Sequence, residues 1–597
     1  MNVKQALPFF SLLLMSVCGF AQTTPFEQGG ENYSATYAEC LDFYRHLDRQ
    51  NPEMKLLEMG STDAGLPLHL VLLDADRDFD PTLWHREGKA VILINNGIHP
   101  GEPDGIDASM LWVRDLLNGK ANWPENTVLA LIPVYNIGGC LNRSAFRRVD
   151  QHGPEEFGSR GNSQNLDLNR DFIKADSREA RSFAEIFQWV NPDVFVDNHV
   201  SDGADYPNVM TLATSQHDKL GGEMGEYLHR VFEPALFEGM AKQQYPMIPY
   251  VTVWGRDVRP GWTQFFDSPR FSTGYATLFH TFGFTPETHM LKPYPQRVEA
   301  TYKLMQEIAA FTGKNADTIK VLRRRAIAAS RSQQVFPLQW RTDSSRFTPI
   351  AFQGYAWKTK KSAVSGLPVH CFDRTDLYKD TLRFYNYCQS SLSVEAPDAY
   401  ILPQGWWEVA ERLRLNGVHM EPLEADTTME VEYHRIADLQ TGKQFEGHYP
   451  HTRVTSSLQT GRVHFRKGDW FIPLDQDRKR FLVETLEPLG EDGYFAWNFF
   501  DAILGQKEGY SDYAYEDLAA EYLEQHPALR DSLAEACRRD PKLAGSASAQ
   551  LDYVYKHSPW YEAEHNRYPV FRVHDGHRHP DAPKPTRVLP IKNKHDE

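Results

Sequence analysis

The chain has 597 residues, of which 41% are hydrophobic, 24% charged and 12% aromatic. That composition excludes the disordered, collagen-like and disulfide-scaffold classes, and the length predicts about three domains or one large catalytic unit with an accessory region. Acidic side chains outnumber Lys and Arg by 80 to 64 for a formal charge of −16, and no basic run stands out, which argues against a nucleic-acid partner.

At the N-terminus, Lys4 precedes an apolar run from Ala6 to Phe20. The run is too short and too abruptly ended for a membrane span, and it fits the hydrophobic region of a secretory signal. Gly19 and Ala21 supply small residues for a cut before Gln22, so Met1–Ala21 is expected to be removed and the mature chain to be periplasmic or secreted, with no integral membrane segment. A lipoprotein signal at Cys18 competes less well, because bulky Val17 precedes the cysteine. Of the remaining cysteines, Cys371 and Cys388 are near enough in sequence to bridge in an oxidising compartment.

From Tyr33 to about Gly313 strand-like and helix-like segments alternate. Lys89–Asn95, Val128–Tyr135 and Pro192–Asn198 are compact apolar runs bounded by Gly, Pro and Asn, as expected of strands covered on both faces. Between them, Pro103–Leu117 repeats apolar residues at Ile106, Met110, Val113 and Leu117, and Ser177–Val190 does so at Ala180, Phe183, Ile186, Phe187 and Val190. The succession predicts an α/β domain over 22–315 with a mixed, largely parallel sheet flanked by helices.

Ala316–Ser332 then reads as a basic connecting helix with a solvated face. A C-terminal accessory region of mixed α and β structure is expected over 316–573, with one clear helix at Trp406–Leu415. The stretch 574–597 is rich in Pro, His and Lys and reads as a flexible tail rather than a metal site built from His574, His577 and His579.

Chemistry concentrates in four segments. Asn95–Pro103 follows an apolar strand and opens a helix, which puts His99 and Glu102 at the carboxyl end of a strand, where open α/β sheets hold ligands. Pro100-Gly101 bends the chain so that an imidazole and a carboxylate can share one zinc ion. A second strand runs into His199, and two histidines with one glutamate leave a fourth zinc position open, as catalysis requires. Alone, His99 reads as a surface residue and His199 as a satisfied strand-end histidine; together they read as ligands. Between them Asp167-Leu168-Asn169-Arg170 offers amide and guanidinium donors suited to a carboxylate, against the blander reading of a surface turn. Phe282–His289 sets Glu287 among aromatic and apolar residues, where burial raises its pKa and suits it to accept a proton.

These segments, in this order, resemble the M14 zinc carboxypeptidases over roughly Tyr33–Gly313. The resemblance implies one zinc ion held by His99, Glu102 and His199, with Asp167 supporting His99. It implies that Asn169 and Arg170 grip a substrate's terminal carboxylate and that Glu287 is the general base. The oxyanion-stabilising arginine maps to Arg147, with Arg143 and Arg148 as alternatives, and the substrate-closing tyrosine to Tyr275, with Tyr245 and Tyr250 behind it. The His-Pro-Gly-Glu and Leu-Asp-Leu-Asn-Arg-Asp-Phe strings are similar to a secreted bacterial branch, and Trp406-Trp407 and Leu486-Glu487-Pro488 resemble the C-terminal region that accompanies the peptidase there.

The expected function is therefore a secreted metallocarboxypeptidase acting on peptides with a free C-terminus. The alternatives are a zinc amidohydrolase acting on N-acyl amino acids or cell-wall peptides, and an inactive zinc- or peptide-binding protein.

Overall fold

The three apolar runs become neighbouring strands of one sheet. The computed structural model describes residues 23–574, so the expected leader and the tail beyond His574, with His577 and His579, lie outside the described residues. The sheet contains β1 (Met54–Ser61), β2 (Pro67–Leu73), β3 (Ala90–Asn95), β4 (Thr127–Ile132), β5 (Val194–Asp197), β6 (His199–Ser201), β7 (Met210–Thr214) and β8 (Ile248–Pro249). After a short outlying strand, β9 (Trp262–Thr263), it is completed by β10 (Phe282–His289). The order is β1-β2-β4-β3-β5-β10-β7-β8, with β6 beside β10. The centre is parallel from β4 through β3 and β5 to β10, and antiparallel pairs β1–β2, β2–β4 and β7–β10 flank it. The sheet is thus mixed, with the helices on its faces.

Residues alternate between the two faces, and both faces are buried. Val91, Leu93, Val128, Ala130 and Phe195 pack with Phe183, Ile186 and Phe187 of the helix Arg178–Val190. Ile92, Ile94, Leu129, Leu131 and Val194 face the opposite way, against Ile106, Met110 and Val113 of the helix Asp104–Leu117 and Leu304 and Ile308 of the helix Tyr294–Lys314. Each of these side chains larger than alanine contributes about 1.5–3 kcal/mol on burial.

The helix Ala316–Ser332 forms as expected, with Arg324, Arg325 and Arg331 exposed, but two of its basic residues turn inward. Lys320 and Arg323 are buried. Lys320 Nζ lies 3.2 Å from Asp193 Oδ2, and Arg323 donates to the His280 carbonyl and the Asn191 side chain. A guanidinium and an ammonium paired with one buried carboxylate lock this helix beneath β5.

Beyond it, β11 (Val335–Thr342) pairs with β14 (Cys388–Glu395). Between them lies a long hairpin of β12 (Thr348–Lys361) and β13 (Pro368–Tyr385), which extends onto β9. A further sheet combines β15 (Ala399–Leu402), β16 (Glu421–Pro422), β17 (Thr427–Thr441), β18 (His451–Phe465), β19 (Trp470–Pro473) and β20 (Phe571–Val573). Helices Trp407–Leu415 and Lys479–Leu486 bring Leu413 and Phe481 into the same core cluster that contains Leu93 and Phe195, so one apolar core runs through both halves. Four helices between Asp512 and Lys556 were not anticipated; few of their side chains are buried, and the apolar stripe is correspondingly faint. Cys371 and Cys388 are both free thiols, on strands of different sheets. No helix among the described residues is long and apolar enough to cross a membrane.

Candidate metal and active site

Register brings the two histidine-bearing segments together. Asn95 at the end of β3 stands opposite Asp197 at the end of β5, and its amide donates to the Asp197 carboxylate at 3.0 Å. His99 follows four residues after one strand end and His199 two after the other. Gly97 takes a left-handed φ of 64°, and a Cβ there would stand 2.9 Å from Ile106, so the turn that returns the chain to the helix at Asp104 needs glycine.

His99, Glu102 and His199 are all buried, and one candidate ligand atom from each lies within 4.8 Å of the others. His99 Nε2 is 2.8 Å from Asp167 Oδ1, and His199 Nε2 is 3.1 Å from Asp197 Oδ2. A carboxylate only accepts, so each Nε2 carries a proton and Nδ1 is the nitrogen that would offer its lone pair to a metal ion. Both Nδ1 atoms face Glu102, at 3.2 Å from His99 and 3.0 Å from His199. His99 Nδ1 is buried with no hydrogen bond, since its contact with Glu102 lacks hydrogen-bond geometry. Two inward nitrogens, one of them orphaned, and one carboxylate form the donor set of a three-ligand zinc site.

Electrostatics agrees with this arrangement. Burial pushes Glu102 up, but the Arg148 guanidinium, at 2.6 Å, and the two imidazoles outweigh it and hold its carboxyl well below the ordinary range. Burial disfavours charge on His199 too, yet Asp197 and Glu102 raise its pKa well above the usual value. The carboxylates thus favour positive charge at this point, which a metal cation would supply. Asp167 is held far below a free carboxyl by His99, Arg160 and Arg170, which outweigh its burial.

Glu287 of β10 is the register partner of His199 in the parallel β6. Residues paired this way point to the same side of a sheet. Burial, first of all, pushes the Glu287 carboxyl up to about 8; Glu102 and Asp202 add to the rise, while His199 and Arg160 oppose it.

Asn169 Nδ2 lies 3.4 Å from His199 Nε2, and Asn169 Oδ1 is buried without a partner. Arg170 stacks 4.5 Å over the Phe271 ring, with its side chain still 24% exposed. These two donors thus border the histidine–glutamate cluster.

Two expectations need correction. Tyr275 is fully buried, donates to Asn416 Oδ1 at 2.6 Å and packs against Phe187 and Phe279, so it is a core residue out of a substrate's reach. Tyr245 donates to Glu299. Tyr250 lies within electrostatic reach of the cluster: burial first, then the charges of Glu287 and Asp202, raise its phenol well above the usual value. Arg147 donates to Asn142 and touches none of the three candidate ligands, while Arg143 binds the carbonyls of Ser34 and Ala35. The guanidinium groups at the site belong to Arg148, on Glu102, and to Arg160, which reaches Asp167 at 2.9 Å and Glu102 at 3.6 Å. Arg160 was missed, although Ser159-Arg160-Gly161-Asn162 stands just upstream of Asp167.

The family model described as zinc carboxypeptidase, peptidase M14, matches residues 40–195, which include His99, Glu102, Asp167, Asn169 and Arg170. His199 and Glu287 lie beyond the matched segment. Carboxypeptidase 2 of Trichophyton rubrum is 20% identical over 499 residues, spanning 78% of this chain and 84% of that protein. Among solved structures, a metallo-carboxypeptidase from Burkholderia cenocepacia aligns at 17% identity and a TM-score of 0.35, over 48% of this chain and 70% of its own. Carboxypeptidase A from Helicoverpa armigera aligns at 13% identity and a TM-score of 0.36, over 48% and 74%. Residues 40–195 of this chain thus match the M14 zinc carboxypeptidases, a family of metallopeptidases.

Proposed function

We propose that the protein is an exported zinc metallocarboxypeptidase that removes the last residue from peptides with a free C-terminus. The observation that carries this reading is the convergence of His99 Nδ1, Glu102 and His199 Nδ1 on one buried point, with Glu287 in register beside His199. His99, Glu102 and His199 would hold one zinc ion per chain. When bound there, zinc supplies a Lewis acid that acidifies water and polarises a carbonyl.

The chain's own groups do the rest. Asn169 and Arg170 bind the substrate's terminal carboxylate and so present the final peptide bond to the cluster. Glu287 takes a proton from the attacking water as its oxygen bonds to the carbonyl carbon, then delivers that proton to the departing amine as the C–N bond breaks. Arg160, with its side chain 45% exposed, donates to the carbonyl oxygen as charge gathers on it, an interaction typically worth about 2.7–4 kcal/mol. Tyr250, whose phenol feels the Glu287 charge, takes the part of the substrate-closing tyrosine. Asp167 and Asp197 keep the imidazoles turned so that their Nδ1 atoms face inward. The apolar leader at Ala6–Phe20 supports export to the periplasm or the medium.

The test compares zinc-loaded protein on matched peptides with free and amidated C-termini, with a chelator control. Turnover confined to the free acid and lost with the chelator supports the reading; equal rates on both would replace it with an endopeptidase or amidase.

A further inference from the structure

The turn that carries Asn169 and Arg170 is held by residues more than 200 positions away. At the far end of the β17–β18 hairpin, Phe445 and His448 exchange backbone hydrogen bonds of 2.8 and 3.0 Å around Glu446 and Gly447. Glu446 and Gly447 both have left-handed backbones, with φ of 50° and 78°. Glycine adopts this freely, but a residue with a Cβ does so at a cost, and such conformations persist where the surroundings fix them. Here the surroundings fix an acidic side chain at the tip of a two-residue turn.

The tip rests on the substrate-side loop. Glu446 Oε2 accepts the backbone N–H of Asp167 at 2.8 Å, and its charge also reaches Arg170. His448 Nε2 lies 2.8 Å from Asp176 Oδ2, and Arg412 donates to the other Asp176 oxygen and to the Lys174 carbonyl. Behind the tip, Phe445 stacks on Trp497, which also carries Arg270, itself forked to Asp492. Both ends of the 167–176 loop are therefore fastened to the C-terminal region. Without Glu446, the Asp167 N–H would lose its only acceptor among the described residues, at the point where the turn presents Asn169 and Arg170.

We propose that Glu446 is a positioning residue for the substrate-carboxylate site: by accepting the Asp167 N–H it fixes the 167–170 turn, so that the accessory hairpin completes the active site. This rests on the carboxypeptidase reading. It gives the C-terminal region a role in binding the last residue of the substrate.

The test uses the full chain with Glu446→Ala and Glu446→Gln. KM and kcat are measured on a free-acid peptide, together with zinc content and the calorimetric affinity for 3-phenylpropanoate, a carboxylate with no bond to cleave. Losing one backbone-orienting hydrogen bond predicts that Glu446→Ala raises KM and weakens 3-phenylpropanoate by about tenfold each, with kcat within about twofold and zinc retained. Glu446→Gln, whose amide oxygen accepts the same N–H, should return both values to near wild type. Wild-type KM in the alanine variant would overturn the proposal, as would a glutamine variant as impaired as the alanine one. If the wild-type chain cleaves no free-acid peptide, the carboxypeptidase reading fails, while the 3-phenylpropanoate comparison still decides for or against Glu446.

Discussion

Glu287 stands directly across from His199 on adjacent parallel strands, with Thr211 opposite it on the other side. The position is set by sheet register rather than by a loop, so the carboxyl is held beside the candidate ligands by backbone hydrogen bonds. A one-residue slip would turn it to the opposite face.

Glu287→Gln is accordingly expected to retain stoichiometric zinc and to lose about 10²–10⁴-fold in kcat, the usual contribution of a general base. Metal analysis and single-substrate kinetics on the same preparation check this; a fully active variant removes Glu287 from the chemistry.

Arg160 and Arg147 separate cleanly. Arg160→Ala should lower kcat by about 10²–10³-fold, as loss of an oxyanion donor does. Arg147→Ala, which removes only a contact to Asn142, should stay within a few-fold of wild type. The reverse order in steady-state assays would restore Arg147 to the site.

The two tyrosines divide between stability and activity. Tyr275→Ala empties a core position and should cost about 3–5 kcal/mol in denaturant unfolding, as large aromatic truncations do. Tyr250→Phe should leave the unfolding midpoint unchanged and alter KM or kcat instead. A kinetic effect of Tyr275→Phe without a stability effect would contradict its placement in the core.

His280 predicts a pH dependence. It is buried with neither ring nitrogen hydrogen-bonded, and burial, then the charges of Arg480, Arg323 and Arg478, depress its pKa well below the ordinary 6.5. Below pH 6.5 the unfolded chain takes up a proton that the folded chain refuses, so the stability present above 6.5 falls as pH drops, by up to about tenfold in the folding constant per unit. His280 has a left-handed φ of 55°, which asparagine tolerates. His280→Asn should flatten the acid side of a midpoint-versus-pH curve; an unchanged slope would show that His280 does not set it.

Much of this site was legible because its elements are contiguous strings. His99 and Glu102 share one loop, Asp167, Asn169 and Arg170 share another, and the strands before His99 and His199 announce themselves as unbroken apolar runs. What failed needed three dimensions. Tyr275 and Tyr250 look alike in sequence, and only the packing of the helix Ser272–Thr277 against Phe187 sends Tyr275 into the core. Arg143, Arg147, Arg148 and Arg160 crowd one irregular segment with no period to say which way each points. Glu446 lies 279 residues from its partner Asp167, and nothing local marks it beyond the glycine that follows.

The most direct test of the account is an anomalous difference map collected at the zinc edge from crystals of the zinc-loaded protein. It should show one strong peak about 2.0–2.2 Å from His99 Nδ1, His199 Nδ1 and a Glu102 oxygen. A map with no peak among these three side chains, or with the metal bound elsewhere, would contradict it.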